Sequence, residues 1–204
     1  MTTKGENTKD KILEIAQALM LEQGFSGASI DEIIAASSIT KSGFFYHFES
    51  KNDLAKHLML KYQYDDRIFF EGIFERAHTL SEDPLQQMLI FLKLLAEAME
   101  NLPDVHPGCL IATFTSANHQ LNTEVKDIIA DCTLVWRDIF SSQLEKINQQ
   151  YTMKIESSVD DLADMLITIL EGGIIVSRTL YEQKILPRQI LFYRDHLRLI
   201  YTDI

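Results

Sequence analysis

Cysteine is scarce in this chain: Cys109 and Cys132 are the only two among 204 residues, and no Cys-x-x-Cys pair occurs. That excludes a disulfide framework and a cysteine-based zinc site, and it suits a reducing compartment. His78, His106 and His119 lack the i, i+4 spacing or acidic partner of a zinc ligand set, so no metal is expected. Long apolar runs are missing too. The most apolar stretch, Leu162 to Val176, is broken by Asp164 and Glu171, whereas a spanning helix needs roughly 20 largely apolar residues. Residues Met1 to Asn7 are polar with no apolar run behind them, so a secretory leader is not expected and the chain is expected to be cytoplasmic. No segment alternates with the period of a β-strand, and all four prolines lie beyond residue 83. Helical periodicity therefore dominates, and an all-α fold is expected. Catalytic constellations are absent as well. Gly24-Phe25-Ser26-Gly27-Ala28 ends in alanine where a nucleophile elbow needs glycine, and no paired carboxylates, triad or phosphate loop stands out. Neither an enzyme nor a cofactor is expected.

What is present is enough apolar residue, 46% of the chain at a mean hydropathy of -0.04, to bury a core. The formal charge of -11 is unevenly spread: residues 1–57 hold six lysines against eight acids, and the remainder thirteen bases against twenty-two acids. The acidity thus belongs mainly to the C-terminal part, leaving Lys41, Lys51, Lys56 and His47 to serve an anionic partner. Binding to such a partner through so few cations is expected to be specific and strongly salt-sensitive.

Helix signals are dense near the N-terminus. Thr8 is the expected cap of a first helix bearing Ile12, Ile15, Ala16 and Leu19 on one face and ending at Gly24. Ser29 with Glu32 forms a capping-box pattern for a short second helix carrying Ile33 and Ile34. Ser37-Ser38-Ile39 reads as a turn, Thr40 caps a third short helix, and Ser50 with Asp53 opens a fourth. Downstream, Asp83-Pro84 launches a nearly all-round apolar helix to Glu100. A short helix follows around Leu110 to Ala117, then longer ones over 122–149 and 159–181, the last interrupted at Gly172-Gly173, and a final helix from Pro187.

Two short helices joined by a tight turn, the second opening on small and polar residues, are the parts of a helix-turn-helix. Lys41, Ser42 and Gly43 stand on the outer start of that second helix, while Ile39, Phe44 and Phe48 anchor it from behind. Free N–H groups at the helix starts under Ser29 and Ser50 would suit phosphates, with Lys51 adding charge.

The run Gly24-Phe25-Ser26-Gly27-Ala28-Ser29-Ile30-Asp31-Glu32-Ile33, followed by Ile39-Thr40-Lys41-Ser42-Gly43-Phe44-Phe45-Tyr46-His47-Phe48-Glu49-Ser50-Lys51, resembles the N-terminal domain of the TetR family over about residues 8–57. The resemblance implies an all-helical homodimer with a helix-turn-helix domain over 1–50 and a larger effector-binding and dimerisation domain over 51–204. It implies a ligand-responsive repressor that grips a palindromic double-stranded operator, its effector altering the separation of two reading heads. Carried over by position, Ser29, Thr40, Phe45 or Tyr46, His47 and Lys51 would touch the DNA backbone, and Lys41, Ser42 and Gly43 would lie near bases. Two departures matter. Ser38 replaces the usual turn glycine, so it must accept a left-handed backbone or shift the turn. Phe45 replaces the usual tyrosine, removing a phosphate-bonding hydroxyl unless Tyr46 supplies it.

Phe91, Leu95, Met99, Cys109, Phe114, Trp136 and Met165 are the candidate lining of a pocket for a small, largely apolar or aromatic effector. Cys109, at a helix start, has two readings, a dipole-activated thiol and a small buried hydrophobe, of which the second is favoured. The helices over 122–149 and 159–181 are the expected dimer interface, with the glycine pair permitting close crossing.

Overall fold

The computed structural model describes residues 4–201, with side chains from Asn7 onward. Nine α-helices and one 3-10 turn account for the regular structure, and there is no strand among the described residues. They are α1 (Lys4–Gly27), α2 (Ile30–Ser37), α3 (Lys41–His47), α4 (Lys51–Leu80), α5 (Pro84–Glu100), α6 (Leu110–Ser116), α7 (Thr123–Asn148), α8 (Val159–Leu180) and α9 (Ile185–Tyr201). None of the helices is long and apolar enough to cross a membrane among the described residues.

The chain divides into two units, and two helices are shared between them. The first holds residues up to Asp65 together with Gly108–Thr133; the second holds Asp66–Pro107 and Leu134 onward. A boundary at residue 50 therefore misplaces the start of α4, because Leu54, Leu58 and Met59 pack into the first unit's core. Leu110, Phe114, Val125 and Cys132 of α6 and α7 join the same core, beside Ile12, Ala16 and Met20 of α1, Ile33 of α2 and Phe44 of α3. Each of the larger aliphatic and aromatic side chains is worth roughly 1.5–3 kcal/mol of transfer free energy, so α6 and the start of α7 are structural parts of that unit.

Local signals explain most helix ends. Asp83 accepts from the Gln86 N–H at 2.7 Å, with Pro84 in the first turn. The Ser158 hydroxyl accepts from Asp161 N–H at 3.0 Å while the Asp161 carboxylate accepts from Ser158 N–H at 3.0 Å. Three expectations are corrected. Thr8 does not cap α1, which is already helical at Lys4. α9 starts at Ile185, two residues before Pro187, whose missing N–H falls in a first turn that needs none. The Gly172-Gly173 pair does not interrupt α8. A Cβ on Gly173 would lie 2.8 Å from Leu186 Cδ1, so this glycine admits α9 of the same chain, and the Ser177 hydroxyl accepts from the buried Leu186 N–H at 3.1 Å.

The second unit is centred on aromatic rings. Phe74 stacks on Phe91 at 3.8 Å between centroids, and Phe70 meets Trp136 and Phe140 edge-on at 5.6 and 5.3 Å. Two buried side chains there bond to backbone carbonyls: Gln143 Nε2 donates to that of Pro84 at 2.8 Å, and the Tyr193 hydroxyl donates to that of Leu162 at 2.7 Å. Burial raises the Tyr193 phenol well above its ordinary range, which keeps it a donor.

Candidate nucleic-acid interface

The helix-turn-helix is built by capping. Ser29 Oγ accepts from Glu32 N–H at 3.2 Å, and Glu32 Oε2 accepts from the Ser29 backbone at 2.8 Å and its hydroxyl at 2.7 Å. Those bonds hold the Glu32 carboxyl below its usual pKa, with the Lys51 charge assisting. α2 then buries Ile33 and stops at Ser38, which takes the left-handed conformation at φ 55, ψ 41. Of the two routes open to a serine at this turn, the backbone takes the left-handed one. The turn is closed by Ser38 N–H to the Ala35 carbonyl at 3.1 Å and Ile39 N–H to the Ile34 carbonyl at 3.4 Å.

Thr40 caps α3, its Oγ1 accepting from Gly43 N–H at 3.1 Å and lying 3.1 Å from Ser42 Oγ. A Cβ on Gly43 would come within 3.2 Å of that same Oγ1, so glycine here keeps the cap open. Phe44 is fully buried and packs against Phe48 at 5.6 Å, pinning the rear of α3. Its outward residues are Thr40, Lys41, Ser42, Phe45 and Tyr46, all exposed, with the Tyr46 ring 82% accessible. Tyr46 thus presents a hydroxyl beside the position where Phe45 lacks one. His47 is half-buried, edge-on to Tyr46 at 4.9 Å.

The cations are less free than their positions in the sequence suggest. Lys41 Nζ lies 3.4 Å from Asp31 Oδ1, a surface pair with both side chains mostly exposed and easily opened. Lys56 bonds Glu124 at 2.5 Å, which raises its pKa. Lys51 Nζ turns inward to donate to the Phe25 carbonyl; burial lowers its pKa. Both helix starts expected to hold phosphates have a carboxylate beside them. At α2 Glu32 bonds the Ser29 N–H and hydroxyl, and at α4 Asp53 accepts from Glu49 N–H at 3.0 Å while its own N–H goes to Ser50 Oγ at 3.1 Å. A neighbouring carboxylate opposes an incoming phosphate.

One polar set was invisible in the sequence. The Asn122 N–H donates to Asn52 Oδ1 at 2.9 Å, and Gln120 Nε2 donates to Ser26 Oγ at 2.7 Å, fastening the link before α7 to the start of α4 and the end of α1. These partners are 70 and 94 positions apart, where no spacing rule reaches.

The seven residues expected around an effector separate. Phe91, Leu95 and Trp136 are buried in the second unit, Phe91 and Trp136 both bordering Phe70, and Met99 is half-buried on α5. Met165 is exposed on α8, flanking the buried Leu162 and Leu166. Phe114 is a core residue of the first unit, edge-on to Phe25 at 5.1 Å, and Cys109 is buried there, 3.5 Å from the Tyr62 hydroxyl. No group of three or more His, Cys, Asp and Glu side chains suited to a metal occurs among the described residues.

Residues 12–58 match the sequence model described as bacterial regulatory proteins, tetR family. Over 167 residues the chain is 23% identical to the HTH-type transcriptional repressor DhaR of Mycobacterium sp. strain GP1, covering 82% of this chain and 80% of that protein. A TetR-family transcriptional regulator from Agrobacterium tumefaciens shares the fold at a TM-score of 0.78 and 20% identity, over 98% of this chain and 100% of its own. Another, from Chloroflexus aurantiacus, does so at 0.78 and 22%, over 97% and 98%. The capped helix-turn-helix lies inside the segment that matches the tetR family of bacterial regulatory proteins, and the chain shares its fold with solved regulators of that family.

Proposed function

We propose that this chain is a ligand-responsive repressor that acts in the cytoplasm, binding a palindromic operator as a homodimer and leaving it when a small effector binds. The observation that carries the reading is α3 itself: Lys41 and Ser42 point outward at its start while Phe44 and Phe48 hold its other side in the core. A rigid two-turn helix with a lysine and a hydroxyl at its tip suits the major groove, where lysine recognises guanine acceptors and serine bonds several base edges. Thr40 and Tyr46 are exposed and His47 half-exposed around that tip, and on this reading they contact phosphates, whereas Ser29 is already bonded to Glu32.

Exposed apolar surface supports dimerisation through α8 and α9, in place of the pairing of α7 with α8 expected from periodicity. Met165, Ile175 and Val176 on α8 and Phe192 and Leu199 on α9 are exposed, and an apolar groove lined by Ile169, Gly172, Val176 and Ile185 runs beside them. Ile185, Phe192 and Leu199 repeat every seven residues, the spacing of a helix-packing seam. α7 instead turns Asp127, Asp131, Asp138 and Glu145 outward. Two reading heads would then meet half-sites about 34 Å apart, or a multiple of that.

For the effector, a 390 Å³ groove in the second unit joins Phe74 to His78, Gln143, Arg67 and Lys146, an aromatic wall with polar ends. That combination suits an aromatic compound carrying a few polar groups. Because a ligand acts through its differential affinity for two states, operator must weaken effector binding by the same factor that effector weakens operator binding. The function is tested by selecting bound duplexes from a random pool. An inverted repeat is expected; a pool that stays random after repeated rounds would refute the reading.

A further inference from the structure

Position 51 is where the family resemblance suggests a phosphate contact, yet the geometry gives this lysine a different task. Its Nζ donates to the Phe25 carbonyl and lies 4.6 Å from the centroid of the Phe25 ring. The Phe25 ring is itself buried, edge-on to Phe114. The Glu32 carboxylate adds a favourable field at Lys51. One ammonium group from the first turn of α4 therefore engages the end of α1, within the field of a carboxylate on α2. The residues next to both partners are fastened as well, Ser26 to Gln120 and Asn52 to Asn122.

We infer that Lys51 is a positioning residue, which ties α4 to the α1–α2 corner and so sets the helix-turn-helix for the groove without itself neutralising a phosphate. The inference rests on the DNA-binding function proposed above. Swinging the ammonium out to a phosphate would surrender a charge-assisted bond and a ring face in a half-buried site. It would also remove the Lys51 charge from the field at the Glu32 carboxylate. A solvent-exposed ion pair returns less than it would cost.

Two measurements test this, one of which needs no DNA. In the free protein with isotope-labelled lysine, the Lys51 ε-methylene resonances, assigned by their loss in Lys51→Arg, should be shifted upfield by the Phe25 ring. They should stay shifted when a duplex is added. Ordinary shifts in the free protein, or a return to ordinary shifts on adding duplex, would overturn the inference. On an operator selected by the wild type, Lys51→Met should bind roughly tenfold or more weakly, as expected for losing a hydrogen bond to a charged group. Its preference for operator over random duplex should fall, and the slope of log K against log salt should match that of the wild type. Lys51→Arg, which retains a cation and donors, should recover much of the loss. A phosphate contact would instead flatten the slope by about 0.9 per subunit and weaken random duplex equally. Were the wild type to bind no duplex, the proposed function would fall while the resonances of the free protein would still decide whether the tether exists. If Lys51→Met does not fold, as read from its helicity, the wild-type resonances with and without duplex decide.

Discussion

Replacing Gly24 by alanine isolates the energy of a backbone conformation from that of packing. Gly24 sits at φ 77, ψ 164, where the long first helix bends, in a region used essentially by glycine alone. A Cβ there would meet no heavy atom within 4 Å, so no clash contributes. The conformational cost for an L-residue is about 1–3 kcal/mol. It is partly offset by about 0.4–1 kcal/mol from the smaller entropy of the unfolded chain. The net expectation is a loss of roughly 1–2 kcal/mol. Gly72 is the control, since it lies inside α4, has no positive φ, and its Cβ would also meet nothing within 4 Å. Gly72→Ala should therefore stabilise the chain by roughly 0.5–1 kcal/mol. Urea titrations followed by far-ultraviolet circular dichroism read both: with m near 2 kcal/mol/M, Gly24→Ala should lower the midpoint by about 0.5–1 M. A Gly24→Ala midpoint at or above that of the wild type would refute the account of this corner.

Lys41→Ala should cost about 1–3 kcal/mol of discrimination at one base position per half-site while random duplex binding changes little; equal losses on both, by fluorescence anisotropy, would refute base reading by Lys41. Phe192→Glu on α9 should shift the chain from dimer to monomer in sedimentation and weaken operator binding, whereas an unchanged dimer would remove α9 from the interface. Acid should destabilise the protein in part through His106, whose imidazole is held below its ordinary value of 6.5 by burial and by the nearby Arg178 charge. The unfolded state then binds more protons, so stability is full above about 6.5 and falls as pH drops from there towards the folded value. His106→Gln should flatten that acid limb in urea titrations from pH 7 to 5; a limb as steep as the wild type's would exclude His106.

Sequence reasoning reached the parts of this molecule that depend on neighbours three or four residues apart. Ser29 with Glu32, Thr40 with Gly43 and Asp83 with Gln86 are local bonds, and each marks a helix start in the structure. It did not reach what distant segments decide. Lys51 lies on a helix start where an outward lysine is plausible, and only the arrival of Phe25, 26 positions earlier, turns it inward. The stripe of Val125, Ile129, Cys132 and Trp136 on α7 was legible as an apolar face, but not what covers it. Val125, Ile129 and Cys132 are core residues of the first unit and Trp136 is buried in the second. Apolar residues left exposed on α8 and α9, such as Ile175 and Phe192, are not distinguished by periodicity alone from buried ones. Likewise, a glycine pair in a helix announces a close approach but not its partner, here Leu186 of the same chain.

The central claim, that the start of α3 enters the major groove, is tested most directly by an iron chelate attached at Ser42→Cys, which releases hydroxyl radicals at that point. On the selected operator the account predicts two clusters of strand cleavage, displaced across the strands as a major-groove source requires and separated by about 10 base pairs or a multiple of that. Cleavage at one cluster only, a minor-groove pattern, or no cleavage while the duplex remains bound would contradict it.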